Sequence, residues 1–182
     1  MKKWLVLCLA VWTLSFQAVA DQYQTSIEEF QKSPRTSAFF NSAYGYAVFP
    51  NIGKGGIGVG GSYGEGRVYL QGEPTGQVKM GQVTIGLQLG GQVFSQIIFL
   101  QDKRAYDEFT GGSFEFSAQA SAVALTFGAS AQAGTSGAGA AVGSEQAKAH
   151  YVNGYAVFTL AKGGLMYEAS IGGQKFSFMP NQ

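Results

Sequence analysis

Two lysines occupy matching positions in two similar segments of the chain, Lys54 in the first and Lys162 in the second. Each segment predicts a strand, a turn that carries the lysine, and a second glycine-rich strand. Successive backbone N–H groups in such a turn form a concavity that binds anions, so lysine and turn together could hold an anionic headgroup. The competing interpretation is that both lysines only keep a sheet edge soluble. The segments read Gly45-Tyr-Ala-Val-Phe-Pro-Asn-Ile-Gly-Lys-Gly-Gly56 and Gly154-Tyr-Ala-Val-Phe-Thr-Leu-Ala-Lys-Gly-Gly164.

A second group of residues, near the amino terminus, could enter the interface of a membrane. Burying its apolar side chains would contribute at most ~6–12 kcal/mol in all, at ~1.5–3 kcal/mol each. Each neighbouring lysine or arginine adds only ~1 kcal/mol at an anionic surface, so apolar contact would dominate. The same side chains could instead cover a face of the sheet, and this core interpretation is favoured for at least two of them. The group consists of Ile27, Phe30, Lys32, Arg35, Phe39 and Phe40.

No residue pattern points to catalysis or to metal binding. His150 is the single histidine of the chain, and no metal-ligand spacing surrounds it. No pair of acidic residues can be matched with a nucleophile. Residues Gly53 to Gly58 match G-x-G-x-x-G, but the chain continues as a glycine-rich strand and opens no helix toward a pyrophosphate. The sequence therefore predicts a non-enzymatic protein with no catalytic residue, no metal and no cofactor.

Residues 1–20 have the pattern of a secretory signal peptide. Two lysines precede an apolar run from Leu5 to Phe16, and Ala18-Val-Ala20 supplies small residues for cleavage. The predicted mature domain, residues 21–182, lacks cysteine because Cys8 is the only one, which excludes disulfides and thiolate metal sites. Its basic and acidic residues nearly balance, which argues against nucleic acid as a partner. We expect a periplasmic location.

Three short helices are predicted. Ser26-Ile-Glu-Glu29 has the form of a capping box for the first, and Ser33-Pro34 supplies the N-cap and the first residue of the second. The third is predicted from Asp102 to Phe109, and Gly111-Gly112 ends it.

From Gly45 onward the chain reads as strands. Val83 and Leu89 fall on the apolar face of an alternating run, and this face is predicted to be buried. The run Ile97 to Leu100 is apolar on both faces, which predicts a central strand. Residues 114–124 predict a further strand rich in alanine, and residues 134–143 a low-complexity loop.

These elements together predict an α+β, β-rich fold class. We expect a single antiparallel, glycine-rich sheet or a barrel-like domain, preceded by short N-terminal helices. The two lysine-bearing segments are predicted to be similar hairpins in one closed or nearly closed sheet.

The glycine-rich blocks, taken in order, resemble the SYLF domain family of lipid-binding proteins over roughly residues 23–178. The blocks that carry the resemblance are the two lysine-bearing segments, the stretch Gly81-Gln-Val-Thr-Ile-Gly-Leu-Gln-Leu-Gly-Gly-Gln, the apolar strand that ends at Leu100, and the alternation after Phe114. The resemblance implies one β-rich domain preceded by helices. It also implies binding of anionic lipids in eukaryotic members, aided by an N-terminal amphipathic segment, and actin binding in some fungal members. Bacterial relatives are secreted proteins or lipoproteins.

The resulting hypothesis is a periplasmic, non-enzymatic protein of the SYLF type that binds phospholipid or associates with the cell envelope. Its predicted partner is an anionic phospholipid or membrane surface, contacted by the N-terminal group and by Lys54 and Lys162. Two alternatives stay open. One is an integral outer-membrane β-barrel, against which the mature chain's lack of tryptophan argues. The other is an envelope protein-interaction module that uses the sheet edges or the loop at 134–143.

Overall fold

The fold is a six-stranded open sheet with three short helices, two of them N-terminal, as the computed structural model shows. The predicted β-rich α+β class is thereby confirmed. The structure describes residues 22–116, 125–127, 150–171 and 173–181. The signal segment, residues 117–124 of the predicted alanine-rich strand and the loop at 134–143 lie outside these residues. The elements are α1 (22–31), α2 (Pro34–Ser42), β1 (Gly45–Leu70), β2 (Glu73–Leu100), α3 (Lys103–Thr110), β3 (Ser113–Phe116), β4 (Leu125–Phe127), β5 (Tyr155–Ile171) and β6 (Gln174–Pro180).

The long strand β2 organises the sheet. On one side it pairs with β1 along nearly its whole length, through a hairpin that turns at Gln71 and Gly72, both with positive φ. On the other side β5 and β6 follow each other end to end, β5 against the second part of β2 and β6 against the first. Strand β3 adds to β6, and β4 adds to β5 as the one parallel pair among the described strands.

The β1–β2 ribbon folds over on itself at a bend in β1. Gly58 has a φ of +71°, and a Cβ on Gly56 would run into the backbone of Gly60. The two halves of β1 are consequently close together, since a Cβ on Gly66 would lie 2.6 Å from the ring of Phe49. Glycine is needed at such positions because a side chain would not fit between the two layers.

Folding over gives the sheet an inner and an outer face. Side chains alternate along a strand, and residues paired across an antiparallel ladder share a face. The inner face consists of the even-numbered residues of β2 from Gly76 to Leu100 and their partners. The outer face consists of the odd-numbered residues from Gln77 to Phe99 and their partners.

The inner face carries the main hydrophobic core. Helix α3 closes it with Ala105 and Phe109, and Asp102 caps this helix by accepting from the Ala105 N–H at 2.8 Å. The predicted third helix and its glycine end are thus confirmed. Inside this core the side-chain amides of Gln96 and Gln174 pair with each other at 3.2 Å, which satisfies two buried polar groups.

Helices α1 and α2 cover one end of the outer face. Ile27, Phe30 and Phe39 pack there on strand residues that include Ile97 and Phe99. All four residues from Ile97 to Leu100 are fully buried, so the predicted central strand is confirmed. Helix α2 begins at Pro34, as predicted.

Two local predictions were wrong. Helix α1 already includes residue 22, so Ser26 lies inside it and does not cap it; its hydroxyl is buried without a hydrogen bond. The predicted turns at Lys54 and Lys162 are absent, because β1 and β5 run through both positions as strands. Lys162 is instead the extra residue of a β-bulge between Ala161 and Gly163. Glycine-rich sequence suggested turns at two positions where the chain continues as a strand.

Candidate functional site

The candidate site is the uncovered part of the outer face. The large apolar side chains that stay exposed in the described residues all lie on this face, although they come from β1, β2 and β6. Five of them form a set that we call the apolar ridge: Ile57 (79% exposed), Val59 (62%), Val83 (68%), Leu89 (61%) and Val93 (42%). Tyr63 and Met179 are exposed on the same face outside the ridge. The ridge residues follow the outer face around the bend of β1, and exposed apolar patches mark surfaces for interaction.

The ridge corrects the prediction that Val83 and Leu89 are buried. The alternation of the strand was recognised, but its polar side faces inward. Thr84 is almost fully buried, and Ser62 donates to the Gln82 side chain at 2.9 Å on the inner face. Polar side chains are accommodated inside because they find hydrogen-bond partners there.

The surroundings of the ridge contain no charged residue over long stretches. Residues 80–101 and residues 55–64 lack Asp, Glu, Lys and Arg altogether. Charge returns on the same face beyond Tyr63, whose hydroxyl donates to Glu65 at 2.9 Å, and Glu65 in turn pairs with Lys79 at 3.8 Å. The hydrogen bond to Glu65 raises the pKa of Tyr63, because it stabilises the protonated phenol. The outer face therefore passes from apolar to aromatic to charged.

The two lysines singled out in the sequence lie on either side of β2 near Val93, but Lys54 pairs with Gln92 and therefore belongs to the inner face. Val93 pairs with Gly53 of β1 on one side and with Gly163 of β5 on the other. Lys54 follows the first of these glycines, and Lys162 precedes the second. The Nζ of Lys162 lies 3.8 Å from Glu29 Oε2 of α1, and Lys54 is partly buried. The lysines are thus near one strand position, on opposite sides of β2.

The N-terminal group divides into covered and accessible residues. Ile27, Phe30 and Phe39 are buried against the sheet, which supports the core interpretation for these three. Phe40 is partly buried, with its ring edge-on to Tyr46 and Phe99. Lys32 is exposed. The side chain of Arg35 lies outside the described part of the chain.

A shallow cleft lies beside α2. It has a volume of about 490 Å³ and is lined by Ala38, Phe39, Ser42, Gln101, His150 and Tyr151. Burial raises the pKa of the Tyr151 phenol. The cleft brings no carboxylate to the histidine among its lining residues, so it offers no acid–base pair.

Within the residues described, no group of three or more His, Cys, Asp and Glu side chains is placed to hold a metal ion. No helix of the described segments is long and apolar enough to cross a bilayer.

Among its described residues, this β-rich domain exposes an apolar face without charge on the ridge. The family assignment comes from comparison. Residues 81–180 match the family model described as "Ysc84: Las17-binding protein actin regulator", so the chain belongs to the Ysc84/SYLF family. The chain is also similar to "Beta cell expansion factor A" of Aeromonas veronii, with 28% identity over 153 residues, or 82% of this chain. It spans only 51% of the length of that bacterial relative. No solved structure matches the chain.

Proposed function

We propose that this protein is a non-catalytic phospholipid-binding protein of the cell envelope that acts after export to the periplasm. Family membership supports a binding role, and the N-terminal pattern of residues 1–20 supports export. The observation that carries the proposal is the apolar ridge, since exposure of so many large apolar side chains on one face is costly unless a partner covers them.

Apolar contact contributes more to this binding than charge does. Each ridge side chain that becomes fully buried contributes up to ~1.5–3 kcal/mol relative to full exposure. A lysine near an anionic surface contributes ~1 kcal/mol, and salt screens that contribution. Lys162 therefore orients the domain on an anionic surface, Lys54 on the inner face adds less, and the ridge supplies most of the affinity.

The N-terminal group contributes in two ways to the proposed contact. Lys32 and Phe40 reach the surface in the folded state, and Arg35 is proposed as a further contact of this group. Ile27, Phe30 and Phe39 contact lipid only if α1 and α2 leave the sheet, which would uncover Phe99 and its neighbours at the same time. The folded domain binds without this opening, because the ridge is already exposed.

The test is vesicle flotation of the chain lacking residues 1–20. Vesicles of phosphatidylcholine, with and without phosphatidylglycerol, are mixed with the protein and floated through a density gradient. We expect the protein to rise with the vesicles. Protein that stays at the bottom with both compositions, at low salt, would contradict the proposal. Fractionation of cells that make the full chain tests the location, and we expect the protein in the periplasmic fraction.

A further inference from the structure

We infer that the bend of the β1–β2 ribbon, at Ile57 to Val59, is the part of the chain that enters the membrane, and that it takes the apolar interior of the bilayer as its ligand. This inference rests on the proposed function and deepens it. It specifies the point of contact, and it makes binding independent of headgroup charge.

The bend has a shape that exposes its outward side chains. Gly56 and Gly58 let β1 reverse direction within a few residues, and Ile57 and Val59 stand on the outer side of this reversal. Ile57 is the most exposed large apolar residue of the described chain. Across the ribbon Ile57 pairs with Leu89, which is exposed as well. The bend thus presents aliphatic side chains at a corner of the sheet, where a flat surface can reach them.

β2, the strand beside the bend, has pairing partners on both sides, whereas β1 pairs with β2 alone among the strands that the structure describes. Near the bend β2 is paired with β1 on one side and with β5 on the other, from Leu89 to Val93. Lipid offers no hydrogen-bond partner, so a segment that enters it must satisfy its own N–H and C=O groups. A paired central strand meets this condition better than an irregular loop.

Side-chain types change in a definite order along the outer face. Moving along β1 from the bend, the outward residues change from the aliphatic Ile57 and Val59 to Tyr63 and then to Glu65. Tyrosine is enriched where membrane proteins pass from hydrocarbon to headgroups, and charged residues lie beyond it. The charge-free stretches 55–64 and 80–101 surround the bend. A second copy of the chain would explain the apolar residues but not this order, so we commit to lipid.

The experiment uses the absence of tryptophan after residue 20, since Trp4 and Trp12 are the only two. In the chain lacking residues 1–20, Ile57→Trp and Met179→Trp each introduce a single indole at an exposed position of the outer face. Met179 is the matched control, because it lies outside the charge-free stretches. Emission is recorded with phosphatidylcholine vesicles, with phosphatidylcholine–phosphatidylglycerol vesicles, and with brominated lipid as quencher, at low and high salt.

We expect the emission of Ile57→Trp to shift to shorter wavelength and to be quenched by brominated lipid on both vesicle types, at both salt concentrations. The emission of Met179→Trp should change little. In flotation, the double variant Ile57→Ser/Val59→Ser should partition roughly tenfold or more less into phosphatidylcholine vesicles, whereas Met179→Ser should stay within about twofold.

Three outcomes would overturn the inference. Binding that needs phosphatidylglycerol and disappears at high salt would show headgroup recognition, and the proposed function would survive. A blue shift of Ile57→Trp without vesicles, dependent on protein concentration, would show that a second copy covers the bend. Flotation with unchanged emission at position 57 would place the contact elsewhere. Failure of the unsubstituted chain to float with any vesicle would instead reject the proposed function itself.

Discussion

Tyr46 and Tyr155 occupy the same position in the two similar segments, yet their side chains lie on opposite faces of the sheet. Tyr46 pairs with Phe99 of β2 and Tyr155 pairs with Leu100, so the two copies are offset by one residue. A one-residue offset moves every side chain to the other face. Tyr46 stacks on Tyr69 on the outer face at a centroid distance of 5.0 Å, whereas Tyr155 belongs to the inner core. The two segments are therefore similar in sequence but are not related by symmetry in the structure.

The first prediction concerns the phenol of Tyr155. Its hydroxyl hydrogen-bonds with the Ala105 carbonyl at 3.2 Å and with Glu108 at 3.0 Å, which ties β5 to α3. We expect Tyr155→Phe to lower the free energy of unfolding by about 1–2 kcal/mol. Tyr46→Phe, the matched change in the other segment, should alter it by less than about 0.5 kcal/mol. Urea denaturation at neutral pH measures the free energy of unfolding of both variants. Equal effects would contradict a stabilising role of the Tyr155 hydrogen bonds.

The second prediction concerns stability at high pH. Burial raises the pKa of Tyr46 from 10.0 to about 12, and the neighbouring Tyr69 adds to this shift. Between these pH values the unfolded chain has lost the phenolic proton and the folded chain keeps it, so folding becomes less favourable as pH rises. The contribution of the protonated Tyr46 phenol to the free energy of unfolding is fully present below pH 10 and is lost as the pH approaches 12.

Tyr46→Phe is the control for this titration. It removes the phenol of Tyr46 and leaves the other tyrosines with raised pKa values, such as Tyr155, in place. We expect the unfolding free energy of Tyr46→Phe to fall less steeply than that of the unsubstituted chain above pH 10. Parallel curves from denaturant titrations across this range would show that Tyr46 does not titrate as its burial implies.

The third prediction tests the close contact between the two halves of β1. A Cβ on Gly66 would lie 2.6 Å from the Phe49 ring and 2.9 Å from the Val48 carbonyl oxygen. Gly66→Ala should therefore destabilise the fold by about 1–3 kcal/mol. Around Gly81 nothing lies within 4 Å of the added carbon, so Gly81→Ala should be neutral or stabilising by up to about 1 kcal/mol. Thermal unfolding of the two variants compares them directly, and similar melting temperatures would refute the folded-over ribbon.

The elements governed by local signals were predictable from the sequence. Pro34 starts α2, Asp102 caps α3, and the uninterrupted apolar run at Ile97 predicts a central strand, because each signal acts within a few residues. The folding-over of β1 was not predictable in the same way. It depends on contacts between residues such as Phe49 and Gly66, which are distant in sequence.

The candidate site was predicted only in part. The sequence predicted Lys54 and Lys162 as contact residues, and both lie beside the strand position of Val93, but their role in binding stays a prediction. The ridge was missed because alternation separates two faces without saying which one is inside, and the apolar face at Val83 is the exposed one. An available signal was the lack of charge over residues 80–101, which is unusual for a strand beside solvent.

The fourth prediction separates core from contact residues in the N-terminal group. Phe39 packs with ring centroids 5.4 Å from Phe99 and 5.1 Å from Phe158, in a fully covered position. We expect Phe39→Ala to lower the unfolding free energy by about 3–5 kcal/mol. Lys32→Gln, at an exposed position of the same group, should change it by less than about 0.5 kcal/mol. A small effect of Phe39→Ala in urea denaturation would mean that α2 is not held on the sheet in solution.

The fifth prediction concerns the ion pair of Glu29 and Lys162, whose side chains are 37% and 28% exposed. A pair at 3.8 Å that is this accessible should have a coupling energy below about 1 kcal/mol in a double-mutant cycle of Glu29→Gln and Lys162→Gln. Breaking the ion pair with Glu29 would then cost about as much free energy as the ~1 kcal/mol that Lys162 gains from an anionic headgroup. Lys162→Gln should accordingly change vesicle affinity by less than about fivefold, whereas the ridge substitutions change it by more. A coupling energy above about 2 kcal/mol would contradict this prediction. It would mean that the buried Oε2 of Glu29, which has no hydrogen bond, depends on Lys162 for its stability.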